Sequence, residues 1–239
     1  MGVSRVIRPC RGGHLALTHY APFERCPAHR HDGAQVSLVL AGAYREDGLA
    51  GPVEAEDGLL TGKPAGHEHE TVFGSAGALI LTINLEDAPF LNRYFAARDG
   101  GDRRTLTAAV VADDPVAVAA LCGGEPADVT PVHAPDWLSR ARDRLASEGQ
   151  LQSGALAREI GLHPVRFARL FQGAFGRVPS DFRQSRRTAR AIARIIRSAA
   201  CLADIACDEG FADQAHMTRR VQAAAGIPPG RLRQMFASA

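Results

Sequence analysis

The sequence predicts an α+β protein of two domains, a β-rich N-terminal half followed by an all-α C-terminal half. Three observations predict it. From residue 14 to about 85 the chain runs in short segments bounded by Gly and Pro, with the alternation and apolar runs of strands. From residue 136 onward, one amphipathic helical segment follows another. A net excess of basic charge is also concentrated in the second half. Residues 1–120 hold 11 Lys/Arg against 15 Asp/Glu, whereas 121–239 hold 17 against 11, and all 17 are arginine. Such concentration is the electrostatic footprint expected of a nucleic-acid binder.

A chain of 239 residues, 46% hydrophobic, can bury two small cores. In the first half, Val36, Leu38 and Leu40 alternate with Ser37 and Val39, and residues 78–85 (ALILTINL) read as a buried strand. Residues 86–98 are expected to be helical, with Pro89 near the start and Phe90, Leu91, Tyr94 and Phe95 at helical spacing. A second helix is expected after Pro115, through Leu121. Residues 122–135 (CGGEPADVTPVHAP) lack periodicity and read as a linker. The expected division is therefore 1–121, a linker over 122–135, and 136–239.

In the second half, Asp136 and Ser153 are placed to cap the first two helices, with Leu156 and Ile160 four apart on the second. Pro164 suits the first turn of a third helix, where a missing N–H costs nothing. Pro179 and Ser180 open a long helix through about Arg197, with Ala191, Ile192, Ile195 and Ile196 on its apolar stripe. Helices at about 202–208 and 213–224 follow, and a short one comes after Pro229.

These helices repeat. Leu156-Ala157-x3-Gly161-Leu162 recurs 49 residues later as Ile205-Ala206-x3-Gly210-Phe211. Arg169, Phe171, Gly176, Pro179, Phe182 and Arg183 recur 50 residues later as Arg219, Val221, Gly226, Pro229, Leu232 and Arg233. Each unit has a small alanine where two helices cross, a glycine for a turn of positive φ, then a second helix stopped by Gly-x-x-Pro. That is helix-turn-helix logic, although a plain bundle of helical hairpins shares it. In the first unit Phe167, Leu170 and Phe171 are expected inward, with Val165, Arg166 and Arg169 outward. In the second, Met217 and Val221 are expected inward, leaving Gln214, His216, Arg219 and Arg220 available.

Residues 136–239 resemble the DNA-binding domain of AraC/XylS-type transcription regulators. The motifs are ALAREIGLHPVRFARLFQGAFGRVPSDF, RTARAIARII and IACDEGFADQAHMTRRVQAAAGIPPGRLR. The resemblance implies two helix-turn-helix units joined by a linking helix of some 18 residues, about 27 Å long at the α-helical rise. Carried over by position, Val165, Arg166, Ala168 and Arg169 would contact double-stranded DNA from the first unit. Gln214, Ala215, His216, Thr218 and Arg219 would do so from the second. Met217 and Val221 stand where that family usually has aromatics. Arg183, Arg186, Arg187 and Arg190 are expected to be phosphate contacts or solvated surface, with a structural role for Arg187. The resemblance further implies a homodimer and RNA polymerase as a partner.

The first half carries His29-x-His31-x3-Gln35-x6-Gly42 and Gly58-x5-Pro64-x-Gly66-x2-His69. On a strand, positions 29, 31 and 35 share one face, and His69 from a later strand can join them. These spacings resemble the two motifs of the cupin barrel, a double-stranded β-helix. Gln35 replaces the usual acidic ligand, and Phe73 stands where the second motif often ends in asparagine. His29, His31, Gln35 and His69 are thus candidate ligands for Zn, Fe, Ni or Mn. The alternative is a set of satisfied polar residues lining a small-molecule effector pocket. His67, of opposite parity, is expected to point away. Cys26, Cys201 and Cys207 are expected to be packing residues, and His14, His19 and His133 carry no signal.

The combined expectation is a cytoplasmic transcription regulator with a cupin sensor domain. It is not an enzyme, has no signal peptide and makes no membrane contact; its odd five cysteines suit reduced thiols. The resemblance implies that the helices expected over 86–121 supply its dimer surface. The rival is a metal-dependent cupin enzyme, an oxygenase or isomerase, with a fused helical domain. A helical module for protein contact is a third reading.

Overall fold

The computed structural model describes residues 2–10, 12–49, 51–97 and 134–237, which fall into two compact units, the first strand-built and the second helical. The fold class is as expected: an α+β chain with an N-terminal cupin-type barrel and a C-terminal all-α double helix-turn-helix region. The expected second helix ending at Leu121 lies outside the described residues, as do most of the linker and His133.

Eight strands form one antiparallel sheet: β1 (Val3–Cys10), β2 (Gly13–Tyr20), β3 (Arg25–His29), β4 (Ala34–Gly48), β5 (Gly51–Glu56), β6 (Leu60–Lys63), β7 (His69–Leu85) and β8 (Phe95–Ala97). Their order is β1-β2-β7-β4-β6-β8, with β3 also paired to β7 and β5 to β4. Two long strands, β4 and β7, run through the barrel and bend midway. The bend falls at Gly42 (φ 97°) and Gly77 (φ 65°), where the β4 ladder also slips register. Positive φ is open to glycine at little cost, so the corner needs these residues.

The slip changes which side chains reach the interior. Before its bend β4 turns Gln35 and Ser37 toward the cavity, and after it Tyr44 and Glu46. In β7, His69, Thr71 and Phe73 face in before the bend, and Ile80, Thr82 and Asn84 after it. Odd positions become even ones, and both halves of each strand line the same space. The apolar floor joins Val39, Tyr44, Val53, Leu59, Phe73 and Ile80.

Residues 86–94 form turns rather than the expected helix, and Phe95–Ala97 is a strand paired to β6. Phe95 packs on Gly62, where an added Cβ would lie 1.8 Å from its ring. Tertiary packing against the sheet overrides the local helical spacing.

The second unit contains α1 (Asp136–Ser147), α2 (Ser153–Glu159), α3 (Pro164–Phe175), α4 (Pro179–Arg197), α5 (Leu202–Asp208), α6 (Gln214–Ala225) and α7 (Pro229–Ala237). Asp136 and Ser153 are first-turn residues rather than caps; Pro135 and Gln152 occupy the cap positions without side-chain bonds. A core in the first half of this helical unit, around α1 to α4, gathers Leu138, Leu145, Leu156, Phe167, Phe171 and Phe182. Among the described residues no helix is long and apolar enough to cross a membrane.

Candidate functional sites: a duplicated helical reader and a histidine-lined cavity

The two helical units repeat in geometry as in sequence. Ala157 and Ala206 are buried where α2 meets α3 and α5 meets α6. Gly161 and Gly210 take φ 75° and 74° in the turns, and Gly176 and Gly226 end α3 and α6 in the left-handed conformation. The long α4, 19 residues, joins the units.

On α3, Phe167 and Phe171 face the core while Val165, Arg166 and Arg169 are exposed and Ala168 is half-buried. On α6, Met217 and Val221 are fully buried. Gln214, Ala215, Arg219 and Arg220 are exposed, with His216 and Thr218 half-buried. One inward assignment is corrected. Leu170 is 40% exposed, because the inner face of α3 is filled by the packed rings of Phe167, Phe171 and Phe175.

The α4 arginines are also corrected. They hold the unit together. Arg186 is buried against the Phe182 ring at 5.2 Å. Arg190 donates to the Glu209 carboxylate at 2.9 Å and to the Ala146 carbonyl at 2.6 Å. Arg183 donates to Gln152 at 3.1 Å, and burial lowers its pKa. Arg187 does take the expected structural place, over the Phe211 ring at 5.7 Å. From α7, Arg233 donates to the carbonyls of Ile195 and Ala200 and so caps the end of α4. Cys201 and Cys207 are exposed rather than packed, since each sits on the outer edge of the short α5; the Cys201 Sγ accepts from the Asp204 N–H.

The barrel holds an open-mouthed cavity of about 600 Å³. His29 at the end of β3, His31 in the turn after it and His69 at the start of β7 bring their ring nitrogens within 4.8 Å of one another. The expected single-strand alternation is not what gathers them. Residues 30–33 lie between β3 and β4, and His29 pairs across the ladder with His69. The Nδ1 of His29 lies 2.8 Å from the Pro27 carbonyl, and that of His69 lies 3.3 Å from the His67 carbonyl. Each ring therefore donates from Nδ1 to backbone and keeps Nε2 as a lone-pair donor, the orientation seen in metal-ligating histidines. Burial, then the neighbouring His29 and Lys63, hold the His31 pKa down at about 4. Burial, then Lys63, holds His69 at about 3. Both are neutral near pH 7, as a ligand must be.

Gln35 lines the same cavity, with its amide nitrogen donating to Asn84 Oδ1 at 2.8 Å. Asn84 in turn meets His14 Nε2 at 3.2 Å, so His14 belongs to the cavity wall. His67 lies outside the cluster and the cavity lining, yet it is buried, with its ring stacked at 5.2 Å on Tyr94 and 5.8 Å from His69. Cys26 is partly buried against the floor. An ion pair that the motifs did not signal, Lys63–Glu46 at 2.6 Å, sits in the wall almost wholly buried. The signal for it was parity: Glu46 lies two residues beyond Tyr44, but only after the slip at Gly42.

The class of protein is thus a helix-turn-helix protein with a cupin-type barrel. Residues 156–235 match the family model for a helix-turn-helix domain, and the motifs resembling AraC/XylS-type regulators fall on those residues. That segment is a helix-turn-helix domain. No curated protein matches the chain. Solved structures resemble its parts. The C-terminal domain of AraT, a response regulator from Geobacillus stearothermophilus, is 18% identical over 43% of this chain and 87% of that one, with a TM-score of 0.40. A cupin superfamily protein from Desulfitobacterium hafniense is 17% identical over 36% of this chain and 79% of its own, with a TM-score of 0.34. ToxT from Vibrio cholerae is 9% identical over 95% of this chain and 99% of that one, with a TM-score of 0.40.

Proposed function

We propose that this chain is a sequence-specific transcription regulator whose helical unit reads duplex DNA and whose barrel binds the signal. The observation that carries the reading is the duplication. Two helix-turn-helix units with the same turn glycines each hold a buried apolar face inward and an arginine-bearing face outward. Val165, Arg166, Ala168 and Arg169 on α3, with Gln214, Ala215, His216, Thr218 and Arg219 on α6, are the DNA-contacting set. Arginine offers a bidentate match to guanine, and glutamine to adenine. The test is affinity for duplex DNA recovered by binding-site selection. It should fall steeply with salt, and Arg169→Ala should cost about 1–3 kcal/mol. Affinity indifferent to salt and to this substitution contradicts the reading.

The barrel supplies the effector site, with His29, His31 and His69 holding a divalent Zn, Fe, Ni or Mn and Gln35 beside them. Three imidazole nitrogens, two of them on rings whose Nδ1 is held by a backbone carbonyl, fit such an ion, which would leave open positions for a small molecule. A bound ion would act there as a Lewis acid holding an effector's donor atom. Effector binding acts on transcription only by favouring one arrangement of the domains over another. We place the chain in the cytoplasm, as a homodimer that works with RNA polymerase.

The same histidine cluster in a 600 Å³ cavity favours a second reading, a metal-dependent cupin enzyme. It predicts turnover of a small substrate by the metal-loaded chain, with DNA affinity that is weak and independent of sequence.

A further inference from the structure

The two helix-turn-helix units are alike in backbone but opposite in charge. From residue 153 to 176 the first carries three arginines (Arg158, Arg166, Arg169) against one glutamate, Glu159. From 202 to 226 the second carries two arginines (Arg219, Arg220) against Asp204, Asp208, Glu209 and Asp213. Some of these carboxylates serve the fold. Glu159 pairs with Arg144 of α1, while Asp208 and Glu209 take Arg194 and Arg190 of α4. Setting those aside leaves three cations on the first unit, and two cations against two exposed carboxylates on the second.

The caps of the two reading helices differ in the same sense. The N-terminus of a helix is a ready anion site, because its first N–H groups lack partners. On α6 that place is taken by the chain's own anion: Asp213 accepts from the His216 N–H at 2.6 Å. At the matching place on α3, His163 accepts from the Val165 N–H through Nδ1 at 3.3 Å, with no carboxylate present. A DNA phosphate approaching α6 meets a carboxylate, and one approaching α3 does not. What α6 offers DNA besides its arginines is a set of hydrogen-bonding side chains, Gln214, His216 and Thr218. The His216 ring is held edge-on against Phe211 at 5.4 Å, with Arg187 on Phe211.

We propose that the two units divide the work unequally: the first supplies most of the salt-dependent grip on the phosphate backbone, and the second adds base reading with little net phosphate affinity. The proposal rests on the DNA-binding reading above and says how that surface is partitioned. Arg166 and Arg169 are the gripping residues. Asp204 and Asp213 weaken the grip of the second unit.

The full chain and a duplex obtained by selection with it provide the test, with affinity measured from about 50 to 200 mM salt. Arg166→Gln with Arg169→Gln should lower affinity roughly 10- to 100-fold and cut the salt slope by about two, near 0.9 for each phosphate no longer neutralised. Arg219→Gln with Arg220→Gln should relax base preference while cutting the salt slope by well under one. Asp204→Asn with Asp213→Asn should tighten binding roughly threefold or more and steepen the slope, since asparagine still caps α6. Unchanged circular dichroism and melting temperature show that each variant folds. Equal losses of salt slope from the two arginine pairs, or no gain from the asparagines, overturn the division while leaving DNA binding intact. A wild-type chain without salt-sensitive duplex affinity overturns the regulator reading as well.

Discussion

Gly42 and Gly77 meet back to back where β4 and β7 bend: a Cβ added to Gly42 would lie 2.0 Å from the Gly77 carbonyl oxygen. At Gly77 an added Cβ would lie 2.4 Å from the Tyr20 carbonyl oxygen. Both neighbours are backbone, which cannot swing aside. Gly42→Ala should therefore destabilise the barrel by about 2–5 kcal/mol, combining left-handed strain with overpacking. Urea unfolding that shows a loss under about 1 kcal/mol would contradict a sterically closed corner.

The Lys63–Glu46 pair is nearly out of contact with water. Lys63→Met leaves the Glu46 carboxylate buried without its cation and should cost about 3–5 kcal/mol. The double variant Lys63→Met with Glu46→Leu should recover most of that loss. Denaturant midpoints in a double-mutant cycle read both effects, and additive losses would mean the two groups do not depend on each other.

Metal content of the purified chain tests the histidine cluster. Near one equivalent of divalent metal is expected after dialysis against trace ion, falling to background in His29→Ala and in His69→Ala. Equal content in wild type and both variants removes the site.

Phe171 is fully buried and its ring lies 4.7 to 5.8 Å from those of Phe167, Phe175 and Phe182. Phe171→Ala should cost the helical unit about 3–5 kcal/mol. Val221 is its counterpart in the second unit, and it removes only two methyl groups on truncation. Val221→Ala should cost less, near 2 kcal/mol at about 0.8 kcal/mol per buried carbon plus a small cavity. Thermal unfolding orders the two, and the reverse order would refute the leaner second core.

Thiol labelling separates the cysteines. Burial, followed by Glu24, raises the Cys26 pKa, so less of the reactive thiolate is present at a given pH. Alkylation followed by peptide mass spectrometry at about pH 8 should modify the exposed Cys201 and Cys207 first. Cys26 labelling should lag, then accelerate as pH rises. Labelling of Cys26 as fast as the other two would show an open site.

Much of the helical half was legible because its information is local. Pro164 and Pro179 do open α3 and α4, and the offset repeat marked both turns and both buried alanines. The inner face of α3 is one residue narrower than its spacing predicts, ending short of Leu170, because the packed rings of Phe167, Phe171 and Phe175 fill it. The α4 arginines were misread for a related reason. A 19-residue helix held between two units has few free faces, so its guanidiniums turn to Glu209, Phe182 and backbone carbonyls.

In the barrel, residue type and spacing were enough to single out His29, His31 and His69, since imidazoles two apart and a third in a glycine-proline motif can be recognised without coordinates. The sequence by itself also determined the order of the two domains, the duplication of the helix-turn-helix unit and the charge difference between its copies. Only the tertiary structure decided that residues 86–94 are not a helix, that His67 is buried against Tyr94 while His14 lines the cavity, and that Lys63 meets Glu46. Those pairings join strands far apart in the chain across a bend that reverses side-chain parity. Alternation along one strand cannot foresee a phase slip that exists only because two glycine backbones touch.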